Sequence, residues 1–189
     1  MTAIRRRPKV VLDPLLWPNG RRLDRSSRPY RLHVMASTVA EAACAAGGMI
    51  FDRAMAGWQV TVLVPGKSDG RPIAILGASM VALDEAIGDP ICAPDAVVHC
   101  SDVPQLNDSA TPVAVWTQRN RGCWVAVQKN RPGAAGPAMA HDLSSAARSF
   151  KLCALEAAGR AAFCGAGREN FRWTGTRFGL ATRQTLTGS

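Results

Sequence analysis

The chain has 189 residues, 47% of them hydrophobic and 20% charged, a balance that supports one ordinary globular domain and excludes a disordered chain. Its net charge of +9 is unevenly placed. Residues 1–31 carry nine Lys/Arg against Asp13 and Asp24 (+7), residues 32–147 carry seven against ten acids (−3), and residues 148–189 carry seven against Glu156 and Glu169 (+5).

Residues 1–29 mix Pro8, Pro14, Pro18, Gly20 and Pro29 with cations such as Arg5, Arg6, Arg7 and Lys9 and show no periodicity, so they read as a basic arm. The apolar run behind the arginines stops at Asp13 and Pro14, which is too short for a secretory leader. No stretch approaches the ~20 apolar residues of a membrane helix. Six cysteines (Cys44, Cys92, Cys100, Cys123, Cys153, Cys164) show no CxxC pair and no regular spacing, so neither a zinc site nor a disulfide framework is expected. The expectation is a cytoplasmic protein with reduced thiols.

Tyr30 to Ala36 reads as a strand, and Ser37 and Thr38 offer N-caps for a helix. Val39, Ala43, Ala46, Ile50 and Ala54 then recur at helical spacing up to Gly57, a C-terminal stop. Gly47-Gly48 and the alanines would let this helix approach a sheet closely. Trp58, Val60 and Val62 alternate with Gln59, Thr61 and Leu63 in the next strand. Strand, helix and strand over residues 30–64 make a βαβ unit with parallel strands.

After the turn cluster PGKSDGRP, Ile73 to Leu76 reads as a strand too close to the previous one for a parallel crossover. A short helix follows around Met80 to Ile87, then a strand over Ala96 to Cys100. Val113 to Trp116 and Cys123 to Val127 read as a hairpin. Beyond the Gly/Pro/Ala stretch at 131–138, Leu143, Ala146, Phe150, Cys153, Ala154, Ala157 and Ala161 mark the core stripe of a long helix. The expected fold is α/β, with a mixed, mostly parallel sheet, helices on its faces and a Rossmann-like βαβ start. Its limits are 30–164, between the arm at 1–29 and a poorly patterned basic tail at 165–189.

Candidate chemistry is sparse. PGKS at 65–68 lacks the first glycine of a phosphate loop, since position 61 is Thr61, and the Asp69-Gly70-Arg71-Pro72 that follows reads as a turn. Ser37 and Thr38 stand where the first helix of a βαβ unit presents its amides to an anionic ligand. His141, Ser144, Arg148 and Lys151 follow at spacings of three, four and three, which on one helix would align an imidazole, a hydroxyl and two cations for a phosphate or carboxylate. Cys92, His99 and Cys100 match no zinc spacing. No cofactor is indicated. There is no GxSxG, no HExxH and no carboxylate pair in a recognisable setting.

The run GGMIFDRAMAGWQVTVLV, the following RPIAILGA and the segment HDLSSAARSFKLCALEAAG, with Phe171-Arg172 behind them, resemble a group of uncharacterised actinobacterial α/β proteins of similar size. The resemblance spans about residues 30–173 and implies the domain limits but no activity. The expected function is a non-enzymatic binding or regulatory domain for an anionic small molecule or protein partner, recognised at Ser37 and Thr38 or along His141, Ser144, Arg148 and Lys151. The alternative is an enzyme acting on a nucleotide-like or phosphorylated small molecule, with His141 or His33 as acid or base. A third reading is nucleic-acid binding through the basic arms.

Overall fold

The structure, a computed structural model, describes residues 29–86, 94–100, 123–126, 138–160 and 167–174. The basic arm and the first arm of the expected hairpin lie outside these residues.

The elements run β1 (Arg31–Met35), α1 (Val39–Met55), β2 (Gln59–Val64), α2 (Arg71–Ile75), β3 (Ser79–Ala82), α3 (Leu83–Ala86), β4 (Ala96–His99), β5 (Cys123–Ala126), β6 (Ala138–Asp142), α4 (Ser145–Ala157) and β7 (Arg168–Thr174). They form one seven-stranded sheet in the order β3-β2-β1-β4-β5-β7-β6. The pairs β1–β2, β1–β4, β2–β3 and β4–β5 are parallel. β7 is antiparallel to both β5 and β6. This is the mostly parallel α/β sheet expected, and the βαβ start is in place with Leu32 opposite Val60 and Val34 opposite Val62.

The strands explain which face is which. Leu32, Val34, Val60, Val62, Val98 and Phe171 point to one face and are buried in a single core with Ala42, Ala43, Ala46 and Ile50 of α1, Ile73 of α2, and Ala147, Ala154 and Leu155 of α4. Small residues dominate that stripe of α1, so the helix sits close to its neighbours. Gly57 ends α1 with φ of 84°, a left-handed conformation that glycine adopts without a Cβ penalty.

Several expectations need correction. Ile73 to Leu76 is no strand: Pro72 stands in the first turn of α2, where its fixed φ suits a helix start and its missing N–H costs nothing. The strand comes next, as β3, over the first part of the helix expected around Met80 to Ile87, whose later part is α3. It lies parallel to β2, because α2 supplies the crossover that a bare turn could not. The segment after PGKS is therefore helical, though only for five residues. Residues 168–174, read as part of a basic tail, form β7 between β5 and β6. Their buried members Glu169, Phe171 and Trp173 alternate with Arg168, Asn170 and Arg172.

The thiols are not all reduced either. Cys44 is disulfide-bonded, whereas Cys100 and Cys153 retain their thiols. Among the described residues no helix is long and apolar enough to cross a membrane.

Candidate functional site

β1 and β4 are neighbours whose onward connections leave in opposite directions, toward β2 and β3 on one side and β5 on the other. In open α/β sheets such a switch point leaves a crevice at the carboxyl ends of the strands, where ligands bind. Two short backbone bonds shape its floor: Ala36 donates to the Leu63 carbonyl (3.1 Å) and Cys100 to the Met35 carbonyl (2.8 Å).

Ser37 and Thr38 open α1 at this edge and are both exposed. Thr38 is the N-cap, its Oγ1 accepting from the Glu41 amide (3.1 Å), and the Glu41 carboxylate accepts from the Ser37 amide (2.9 Å). This reciprocal pair is a capping box, T-x-x-E. The helix start thus already holds a carboxylate of the chain's own, next to the N-terminal partial charge that an anionic ligand would seek. Glu41 was missed in the sequence, although its position three residues after Thr38 is the signal.

On β4, Cys100 is fully buried on the core face and burial pushes its thiol up, so a thiolate nucleophile is unavailable there. His99 is buried on the other face. His33, also on that face, is held down at about 4 by burial and then by the charge of Arg31. Its imidazole is neutral at physiological pH.

The four residues read as one helical stripe separate in space. His141 belongs to β6 and Ser144 is the N-cap of α4, so only Arg148 and Lys151 are helical. His141 and Ser144 do meet, on Asp52 of α1. The Asp52 carboxylate lies 2.9 Å from His141 Nε2 and accepts from the Ser144 hydroxyl (2.7 Å) and, at 3.4 Å, from its amide. Ser144 Oγ in turn accepts from the Ala147 amide (3.0 Å). In a nucleophile–base–carboxylate triad the imidazole sits between hydroxyl and carboxylate; here the carboxylate is in the middle. The arrangement fastens α1, β6 and α4 together and does not activate Ser144.

Lys151 is not on a solvated face. Only 4% exposed, its ammonium lies 2.6 Å from Glu169 of β7. The same carboxylate accepts from the amides of Gly48 (2.8 Å) and Met49 (2.9 Å) in the middle of α1. The buried residues of α4 are Ala147, Lys151, Ala154 and Leu155. Phe150 and Leu152, 44% and 47% exposed, lie outside that stripe, and Phe150 stacks on Phe51 with ring centroids 4.6 Å apart. Arg148 is exposed beside Gly167. Among the described residues no three His, Cys, Asp or Glu side chains converge as metal ligands would.

No protein-family model matches the chain, and no curated protein is significantly similar. Solved structures are similar in fold. A deacetylase in complex with teicoplanin aligns over 78% of this chain and 99% of its own at 13% identity and a TM-score of 0.54. A triple mutant of a deacetylase of the teicoplanin biosynthetic pathway aligns over 77% and 98% at 14% identity and 0.53. The A40926 pseudoaglycone deacetylase Dbv21 aligns over 80% and 99% at 14% identity and 0.52. At these low identities it is the TM-scores that show a common fold. The proteins that share it are enzymes, and that finding overturns the expectation of a non-enzymatic binding or regulatory domain.

Proposed function

We propose that this chain is an enzyme that removes an acyl group from a small molecule, with the reaction at the carboxyl edge between β1 and β4. The observation that carries the reading is the strand order, which puts a switch-point crevice beside the α1 start in a fold shared with deacetylases over nearly their whole length. In this reading Glu41, its carboxylate oriented by the Ser37 amide, takes the proton of an attacking water and returns it to the departing amine or alcohol as the acyl bond to nitrogen or oxygen breaks and the free acid is released. The Ser37 and Thr38 hydroxyls donate to the carbonyl oxygen as charge develops on it. A substrate that is itself nucleotide-like or phosphorylated keeps its anionic end away from Glu41.

The test is release of acetate from a panel of N- and O-acetylated sugars, sugar phosphates and nucleosides. Glu41→Gln is expected to lower the rate of the best substrate by ~100-fold or more, the usual worth of a positioned general base, with an unchanged far-ultraviolet dichroism spectrum. No acetate above the background rate from any member with the wild-type chain, or full activity in Glu41→Gln, would count decisively against it.

A further inference from the structure

The outward side of α4 carries a row of its own. At about 100° per residue, Ser145, Arg148, Leu152 and Glu156 fall within about 80° of one another on the helix, and all four are exposed. Ala147, Lys151, Ala154 and Leu155 are buried on the opposite side. A single exposed leucine needs no explanation by itself, and at 47% exposure Leu152 is informative because of what flanks it. Arg148 precedes it by four residues and Glu156 follows it by four. The two charges are thus ~12 Å apart along the axis, beyond the reach of an i,i+4 pair. Nor does either find an ion-pair partner elsewhere among the described residues, where the pairs are His141–Asp52, Lys151–Glu169 and Arg168–Asp142. The Arg148 guanidinium lies against Gly167, where a Cβ would come within 3.1 Å of its Cζ, so the backbone there seats the cation at the edge of the row.

We infer that this row is the contact surface of a two-fold dimer of the chain, with α4 packed antiparallel on α4 of a second copy and the axis passing through Leu152. The axis sets Leu152 against Leu152 of the second copy, Arg148 against its Glu156 and Glu156 against its Arg148, so each charge meets its opposite. The ends match as well. Ser145 meets Gly159, an exposed residue at which a Cβ would touch nothing within 4 Å, so no bulky side chain holds the helices apart over the ~21 Å between them. Charge complementarity selects a second copy over other partners. A uniformly acidic surface would attract Arg148 and repel Glu156, and a uniformly basic one the reverse, whereas the row read backwards is its own complement. Leu152 on its equivalent supplies the apolar centre, and the flanking ion pairs fix the orientation. The Ser144 cap of α4 meets Asp52 near the far end of α1, away from the α1 start proposed for hydrolysis, so the two proposals stand or fall separately.

The experiment is sedimentation velocity on the full chain from about 1 to about 300 µM, the range suited to an interface of modest size. The wild type is expected to pass from monomer to dimer across it. Arg148→Glu and Glu156→Arg each bring like charges face to face at both ends of the row, so each should weaken its own dimer by ~100-fold or more. An equimolar mixture of the two variants matches opposite charges at both ends and should associate within about tenfold of the wild type. Leu152→Asp should remove the dimer altogether. All three positions are exposed, so the far-ultraviolet dichroism of each variant should match that of the wild type. Three results each overturn the inference: a wild type that stays monomeric throughout, which leaves the row to another partner or to water; a dimer that persists in Arg148→Glu and in Leu152→Asp, which places it on another face; or charge variants, folded by dichroism, that do not associate when mixed.

Discussion

Replacing Lys151 by methionine tests the buried centre that joins three elements. The Lys151 and Glu169 side chains are 5% and 3% exposed and lie 2.6 Å apart, so removing the ammonium leaves an ionised carboxylate in the core. Breaking one partner of a buried pair typically costs ~3–5 kcal/mol. The Gly48 and Met49 amides still hold Glu169, which places Lys151→Met at the lower end, about 3 kcal/mol. With a urea slope of ~1–3 kcal/mol per molar, the unfolding midpoint should fall by ~1–3 M. The double variant Lys151→Met with Glu169→Gln removes both charges and keeps one carbonyl oxygen for the amides. It should recover more than half of the loss, since replacing both partners of a buried pair is far cheaper than orphaning one. A Lys151→Met midpoint within ~0.3 M of wild type, or a double variant no better than the single, would refute the view that a compensated charge sits there.

Gly48→Ala would normally stabilise a helix by ~1 kcal/mol, but a Cβ at this position collides with the Leu143 side chain; chemical denaturation should show a loss of ~1–3 kcal/mol, partly rescued by Leu143→Ala in the double variant. Asp52→Ala removes the acceptor shared by His141 and Ser144 and should cost ~1–3 kcal/mol in a thermal unfolding series, with Ser144→Ala adding little once Asp52 is gone. Burial and Arg31 lower His33 from 6.5 to about 4 in the folded chain. The unfolded chain therefore binds a proton that the folded chain refuses between those values, so this contribution is fully present above pH ~6.5 and is lost as pH falls toward 4, by about 3 kcal/mol in all. The stability difference between wild type and His33→Gln should therefore slope with pH inside that window and flatten above it, and a flat difference throughout would contradict the burial of a neutral imidazole.

How much of this could be read from residues alone depended on how locally each element is specified. β1, α1 and β2 carry their signals within themselves: a Thr38 cap, helical spacing from Val39, a Gly57 stop and alternation from Trp58. Ile73 to Leu76 is four apolar residues, a length at which strand and helix look alike. Only Pro72 marks the helix start, and it reads equally well as part of a turn. In β7 the period-two burial of Glu169, Phe171 and Trp173 is present in the sequence, but its most informative buried member is an acid. α4 was misphased for the related reason that Lys151 looks like surface and Phe150 like core. Nothing within α4 announces that Glu169, 18 residues later, comes to neutralise Lys151. The fold class was therefore legible, because it rests on local periodicity. The candidate site was legible only as a location, the end of β1, because its furnishing comes from tertiary contacts.

In a chain with a charge of +9, the same contacts place the chain's own carboxylates beside backbone amides. A helix start is the place where backbone N–H groups most readily accept negative charge. In this fold the chain places its own carboxylates at the α1 start and beside two amides inside α1. Glu41 takes the Ser37 amide at the α1 start, and Glu169 takes the Gly48 and Met49 amides while drawing Lys151 inward. The Glu41 carboxylate satisfies a donor at a helix start that would otherwise be left uncapped, and both carboxylates repel a second anion at close range. Positive charge on the chain as a whole thus says little about ligand position.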